Sequence, residues 1–300
     1  MELEFLDWLR TQLSDPQGLA QNWQNDAAVL SPPSGKQLVV TTDTIVDGTH
    51  FDSSIHSLES IGRKALAVNL SDIAAMAAAP SAAFVSIVLP RRAVATLPAH
   101  EAIRRVYDGI IPLANDFNTT IAGGDTNMAS APLTIAITLL GYVEAGRAWR
   151  RDGARPGDAI YVTGPLGGSI AGHHLSFTPR VREALAIDAK CDVHAGMDIS
   201  DGLSLDLWRI CQASGVGAEI DAAAIPTSDA ARALSLQDGR TALEHALHDG
   251  EDFELLIVGP PEQLDQMKLT RIGRCIAGQE MLMVRDGAVE NLLPGGYEHR

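Results

Sequence analysis

Ala67-Val68-Asn69-Leu70-Ser71-Asp72-Ile73-Ala74-Ala75-Met76 is an apolar run with a single carboxylate inside it. It closes an alanine-rich stretch, residues 61–76, whose composition predicts a helix. Asn69 and Asp72 lie three apart and so share one face of that helix. An unpaired carboxylate among apolar neighbours is costly. Asp72 therefore reads as a functional residue held inside the fold rather than as part of a solvated surface.

The surroundings of this helix predict alternating strands and helices. Upstream, Leu38-Val39-Val40-Thr41-Thr42 predicts a short β-branched strand with Asp43 at its end, and Leu3, Leu6, Leu9 and Leu13 recur at the spacing of an opening amphipathic helix. Downstream, residues 84–89 predict a strand closed by Pro90, and residues 97–117 a long helix with Ile103, Val106, Ile110 and Leu113 on one side. Residues 119–122 predict a brief strand running into Gly123-Gly124-Asp125, and residues 133–143 a further apolar strand. The arginine-bearing segment 146–157 ends in Arg155-Pro156-Gly157-Asp158, a turn signal. A boundary there gives an N-terminal domain over 1–145 and a C-terminal domain over 146–300. In the second, Ile160-Tyr161-Val162-Thr163 predicts a strand, residues 201–213 a helix with Gly215 just past its end, and residues 253–258 another strand. Strands and helices mix without a strict βαβ rhythm, which predicts an α+β fold.

Composition excludes several classes. A net charge of −15 over 300 residues argues against a nucleic-acid or anionic-membrane surface. No run of about 18 apolar residues is present, so no membrane span is expected. The acidic start Met1-Glu2-Leu3-Glu4 is not that of a signal peptide, and a cytoplasmic location is the expectation. Cys191, Cys211 and Cys275 are far apart and form no zinc or disulfide pattern.

The remaining aspartates stand beside small residues: Asn25-Asp26-Ala27-Ala28, Thr41-Thr42-Asp43-Thr44, Gly123-Gly124-Asp125-Thr126 and Asp198-Ile199-Ser200-Asp201-Gly202. Taken singly, Asp43 and Asp125 read as turn starters, and Ser200 or Asp201 as a helix cap. Asp198 is not needed for a cap. Gathered in one site, such carboxylates require a cation, and hard oxygen ligands suit Mg²⁺ shared with substrate phosphates. No Walker A motif, dinucleotide fingerprint or protein-kinase loop is present, so a nucleotide would need a different cradle. The cluster Gly164-Pro165-Leu166-Gly167-Gly168 reads either as a phosphate loop or as a tight turn, and His50 and Tyr297 either as ligand contacts or as surface residues.

In order along the chain, Thr41-Thr42-Asp43-Thr44 with Gly48-Thr49-His50-Phe51, the 67–76 run, Gly123-Gly124-Asp125-Thr126, Asp198-Ile199-Ser200-Asp201-Gly202-Leu203 and Gly250-Glu251-Asp252-Phe253-Glu254-Leu255 closely resemble the thiamine-monophosphate kinase family. That family falls in the superfamily of aminoimidazole ribonucleotide synthetase, selenophosphate synthetase and a hydrogenase maturation factor. The resemblance implies two α+β domains, a homodimer formed through the N-terminal domains, and ATP-dependent phosphorylation of thiamine monophosphate. It implies Mg²⁺ ligands at Asp26, Thr41, Thr42, Asp43, Asp72, Asp125, Asp198 and Asp201. ATP contacts are implied at Tyr107, Gly124, Asp125, Arg151 and Ser200, and contacts to the thiamine phosphate at His50, Glu251 and Tyr297. The chain has Gln24-Asn25-Asp26 where the family usually has Gly-Asp-Asp, and Ala77-Ala78 where a glycine is common. Two other readings are a selenophosphate synthetase-like enzyme, which would favour a reactive cysteine near the N-terminus whereas the first here is Cys191, and a nucleotide- and metal-binding protein that has lost catalysis.

Overall fold

The computed structural model describes residues 8–9, 11–12, 32–91, 94 and 96–297. Most of the leucine-patterned opening segment, together with Asn25 and Asp26, lies outside the described residues; residues 8–9 and 11–12 are helical. The chain divides into two compact units: one comprises Met1–Ile73 and Ala78–Gly146, the other Ala74–Ala77 and Arg147–Arg300.

The first unit is built on a four-stranded sheet. Its strands are β1 (Lys36–Val46), β2 (Ala79–Pro90), β3 (Thr120–Ala129) and β4 (Thr134–Glu144), in the order β1-β4-β2-β3. β4 pairs antiparallel with both β1 and β2, while β2 and β3 run parallel. Ile45, Val85, Ile87, Ile135, Ile137 and Leu139 alternate inward and are buried. Helix α1 (Leu58–Ala75) packs on this face, its Ile73 side chain lying against Gly141 of β4. Helix α2 (Ala99–Asp116) buries Ile103, Val106, Ile110 and Leu113, the apolar side expected from the sequence. Glycines set the contact between the helices. A Cβ at Gly62 would stand 2.0 Å from the Val106 carbonyl oxygen, and one at Gly109 would stand 1.8 Å from that of Glu59.

Two strands are longer than the sequence predicts. Asp43 does not end β1, because Thr44, Ile45 and Val46 are themselves good strand residues and continue pairing with β4. Asp125 does not end β3 either. Gly123 and Gly124 are not a turn: the backbones of β2 and β3 approach so closely that a Cβ at Gly124 would meet the Val85 carbonyl oxygen at 2.0 Å.

The second unit holds a seven-stranded mixed sheet of order β11-β10-β7-β9-β5-β8-β6. Its strands are β5 (Ala159–Val162), β6 (Ala195–Asp198), β7 (Gly217–Asp221), β8 (Leu255–Gly259), β9 (Thr270–Ile276), β10 (Met281–Arg285) and β11 (Ala288–Asn291). Ile160, Met197, Leu207, Ile210, Cys211, Leu256, Val258 and Cys275 belong to one buried cluster. Leu207, Ile210 and Cys211 come to it from helix α3 (Leu203–Ser214), which ends where Gly215 adopts φ 68, the expected left-handed cap. Both units are α+β, as the sequence predicts. Among the described residues no helix is long and apolar enough to cross a membrane.

Candidate active site

In the first unit, residues 41–43 of β1 divide between the two faces of the sheet, because successive strand side chains alternate. Thr41 and Asp43 share the face on which α1 packs. The Thr41 hydroxyl donates to Asp72 Oδ2. Burial pushes the Asp43 carboxyl up to about 7, helped by the charge of Asp72 and a hydrogen bond shared with it. Thr41, Asp43 and Asp72 are therefore one group, assembled from a strand and a helix 31 residues apart at Thr41 and Asp72.

Thr42 projects from the opposite, exposed face and accepts a hydrogen bond from the Thr138 hydroxyl at 3.1 Å. Across the sheet, Thr44, Ala136, Ser86 and Asp125 occupy one row, so Asp125 lies on the same exposed face as Thr42. Asp125 accepts from Asn127 Nδ2 at 2.5 Å. Tyr107 is buried in α2 at 2% exposure, and burial raises its phenol pKa.

The turn after β1 folds His50 back onto that strand. The Gly48 N–H donates to the Phe51 carbonyl at 2.8 Å, and the Val46 N–H donates to His50 Nδ1 at 3.1 Å. A ring nitrogen that accepts from a backbone N–H carries no proton, so the neutral ring presents Nε2–H as a donor. The ammonium of Lys64, a fully buried residue of α1, donates to the His50 carbonyl at 2.8 Å.

In the second unit, Asp198 ends β6 and is buried. The loop from β6 into α3 is held by Asp206, which reaches back from the first turn of the helix. Its Oδ2 accepts the N–H groups of Ser200 at 3.1 Å and Asp201 at 3.0 Å. Neither Ser200 nor Asp201 caps the helix, as the capping reading would have it; the cap position is Gly202 at φ 113, without a side-chain cap. Burial pushes the Asp206 carboxyl up to about 6, against its backbone hydrogen bond and Arg209, which pull it down.

The segment Gly250-Glu251-Asp252-Phe253 runs beside this loop. Glu251 N–H donates to the Ser200 carbonyl at 2.7 Å and Phe253 N–H to that of Ile199 at 2.8 Å. Glu251 itself sits at φ 52, an uncommon left-handed conformation for a non-glycine residue. The C-terminal segment comes to the same loop: Tyr297 N–H donates to the Asp201 carbonyl at 3.0 Å, and Gly296 is so close that a Cβ would lie 2.0 Å from that oxygen. Asp198, Ser200, Asp201, Glu251 and Tyr297 are thus gathered within the second unit. Arg151 belongs to this unit too; its side chain is exposed and its carbonyl accepts from the Ser214 hydroxyl at 2.7 Å.

The glycine cluster is a clamp rather than an open phosphate cradle. Gly167 N–H donates to Asp252 Oδ1 at 2.8 Å, Gly168 N–H to Asp249 Oδ2 at 2.9 Å, and the Ser169 hydroxyl to the Gly250 carbonyl at 2.6 Å. Its amides thereby fix the segment that carries Glu251. Asp252 Oδ2 is buried without a hydrogen-bond partner, and burial pushes that carboxyl up to about 8. Asp206, Arg209 and Lys64 escaped the reading of the sequence, and Asp252 entered it only within the 250–255 segment, without a role.

The oxygen donors fit Mg²⁺. Asp43 and Asp72 crowd one another at a part-buried place where a cation relieves their repulsion, and the hydroxyl of Thr41 adds a neutral oxygen. Among the described residues no three His, Cys, Asp or Glu side chains converge on a point. Mg²⁺ commonly takes only one or two carboxylates and completes its shell with water and substrate phosphates.

Residues 24–143 match the family model of the AIR synthase related protein N-terminal domain, and residues 155–280 that of its C-terminal domain. A thiamine-monophosphate kinase of Rhodopirellula baltica is 42% identical over 315 residues, spanning 100% of this chain and 97% of the relative. A thiamine-monophosphate kinase structure from Stenotrophomonas maltophilia K279a is 36% identical with a TM-score of 0.76, covering 88% of this chain and 90% of that one. AaThiL complexed with AMPPCP and TMP is 30% identical with a TM-score of 0.79, covering 90% of this chain and 89% of that one. With both domain models matched in order and this identity over its full length, the chain belongs to the thiamine-monophosphate kinase family.

Proposed function

We propose that this protein transfers the γ-phosphoryl group of ATP to thiamine monophosphate, yielding thiamine diphosphate and ADP. The observation that carries the reading is the carboxylate pair Asp43 and Asp72, held part-buried against each other in a chain 42% identical to a thiamine-monophosphate kinase. AaThiL, similar to this chain along 90% of its length, is complexed with AMPPCP, a non-hydrolysable ATP mimic, and with TMP.

The acceptor is a phosphate oxygen that is already anionic near neutral pH, so the transfer needs no general base. The obstacle is bringing two anions into line, and catalysis comes from positioning and charge neutralisation. Thr41, Thr42, Asp43, Asp72 and Asp125 of the first unit and Asp198 and Asp201 of the second are the proposed Mg²⁺ ligands, with Asp26 from outside the described residues. Mg²⁺, when bound, neutralises the charge on the phosphoryl oxygens. Tyr107, Gly124, Asp125, Arg151 and Ser200 are assigned to ATP, Arg151 through its exposed guanidinium. His50 is assigned to the phosphate of the acceptor. Glu251 and Tyr297 are assigned to the thiamine moiety; Tyr297 is 48% exposed as a residue, and an aromatic ring suits stacking on a cationic thiazolium. The active protein is proposed to be a homodimer paired through the N-terminal unit, where Leu38 and Val40 stand 47% and 56% exposed on edge strand β1.

The test is ADP release from ATP and Mg²⁺ with a panel of acceptors: thiamine monophosphate, thiamine, selenide and water alone. Release that depends on thiamine monophosphate supports the proposal. Release that is indifferent to the acceptor, or greatest with selenide, defeats it.

A further inference from the structure

Arg209 has no part in the proposed chemistry, yet it is bound to one of its ligands. Its Nη1 donates to Asp201 Oδ2 at 2.5 Å and to Asp206 Oδ1 at 2.7 Å. The two carboxylates differ. Asp206 is wholly buried and holds the amides of Ser200 and Asp201 through its other oxygen. Asp201 is 25% exposed, so a cation can reach it from solvent. One guanidinium nitrogen thus joins a carboxylate committed to the backbone and a carboxylate open to a ligand.

We infer that Arg209 is an internal counter-ion for Asp201, holding this carboxylate in place in the metal-free protein and competing with Mg²⁺ for it. The inference rests on the proposed role of Asp201 as a Mg²⁺ ligand. A guanidinium in contact with a ligand oxygen repels an incoming dication at short range, where screening by solvent is weak. Asp206 does not compete for the metal, because two amide N–H groups and Arg209 already occupy it. Arg209 therefore sets the Mg²⁺ concentration at which Asp201 is taken up.

Removing the guanidinium has two effects of opposite sign. The metal-free protein loses the counter-charge of two neighbouring carboxylates and becomes less stable. Mg²⁺ meets less repulsion and binds more tightly. An arginine with a merely structural role would give the first effect without the second.

The experiment titrates Mg²⁺ alone, without nucleotide, into the full chain by calorimetry and follows thermal unfolding in parallel. For Arg209→Gln the Mg²⁺ dissociation constant is expected to fall by roughly fivefold or more, the low end of ordinary coupling between sites. The metal-free Tm should fall and the Mg²⁺-induced rise in Tm should exceed that of the wild type. Arg209→Lys keeps the charge and should remain near the wild type. Equal or weaker Mg²⁺ binding by Arg209→Gln overturns the inference. Should that variant not fold, the Nε–H resonance of Arg209 in the wild type, identified by its loss in Arg209→Lys, must shift on adding Mg²⁺; an unmoved resonance overturns the inference as well. Asp201→Asn separates the two layers. If it leaves Mg²⁺ binding unchanged, the ligand assignment itself fails. If it weakens binding while Arg209→Gln has no effect, only the counter-ion fails.

Discussion

At the scale of single residues, the site is organised by carboxylates whose surroundings oppose their charge. Asp72 shares a hydrogen bond and a repulsion with Asp43, which burial and this neighbour together push up to about 7. Replacing Asp72 by Asn removes one of the two charges that would hold a cation, while the amide oxygen can still accept from Thr41. Asp72→Asn is expected to lower kcat on the order of 100-fold or more with little change in Tm; a loss below tenfold at saturating Mg²⁺ contradicts the ligand assignment. Asp252 shows the same opposition without a proposed metal. Its Oδ2 has no partner, and burial raises its pKa from 3.8 to about 8. In that interval the folded state holds a proton that the unfolded state has released. This carboxyl therefore favours folding at low pH, and its contribution is lost as pH rises from 3.8 to about 8. Asp252→Asn stays neutral throughout and keeps an oxygen for the Gly167 N–H. Its Tm should exceed that of the wild type at pH 8, and the difference should vanish below pH 4. A Tm difference independent of pH would show that Asp252 does not titrate there.

At the scale of elements, α1 delivers Asp72 to β1, and its position depends on how closely α2 can approach. A Gly→Ala change inside a helix normally gains about 1 kcal/mol from propensity. At Gly109 the added carbon would fall 1.8 Å from the Glu59 carbonyl oxygen, so the helices must separate. Steric cost wins over propensity, and Gly109→Ala is expected to destabilise by about 2 kcal/mol net; unchanged or raised stability in urea unfolding would refute this account of the helix pair. The helices were legible because their apolar periodicity is long, and the Ile103, Val106, Ile110 and Leu113 stripe is the buried side of α2. Strand ends were not. Gly123-Gly124 is a turn signal on its own, and only the neighbouring strand reveals that it serves close approach to Val85. Likewise nothing within residues 164–168 tells that the amides are taken by Asp249 and Asp252, some 81 to 85 residues away. Asp206 is different: Leu203-Ser204-Leu205-Asp206-Leu207 is an apolar helical run with one carboxylate, the signal that singled out Asp72, and it was available in the sequence.

At the scale of the whole molecule, each α+β unit gathers a group of its own: Thr41, Asp43 and Asp72 in the first, Asp198, Ser200, Asp201, Glu251 and Tyr297 in the second. The order of the aspartate motifs made the family legible, because five segments in register along 300 residues are far more specific than any one of them. The placing of Asp125 on the sheet face opposite Asp43 was not legible, since it depends on the register of four strands. The exposed side of β1 gives the proposed assembly its test. Val40→Asp puts a charge where Val40 is 56% exposed, costing the monomer little while opposing burial in a subunit interface. Sedimentation should show a dimer for the wild type and a shift to monomer for the variant; an unshifted dimer would move the interface elsewhere. The central claim is direct phosphoryl transfer between two phosphates, and its most direct measurement follows the γ-phosphate itself. With γ-³²P-labelled ATP, Mg²⁺ and thiamine monophosphate, the account predicts that the label appears in the terminal phosphate of thiamine diphosphate, one for each ADP formed. Label released as inorganic phosphate, with ADP formed at the same rate when thiamine monophosphate is left out, would contradict it.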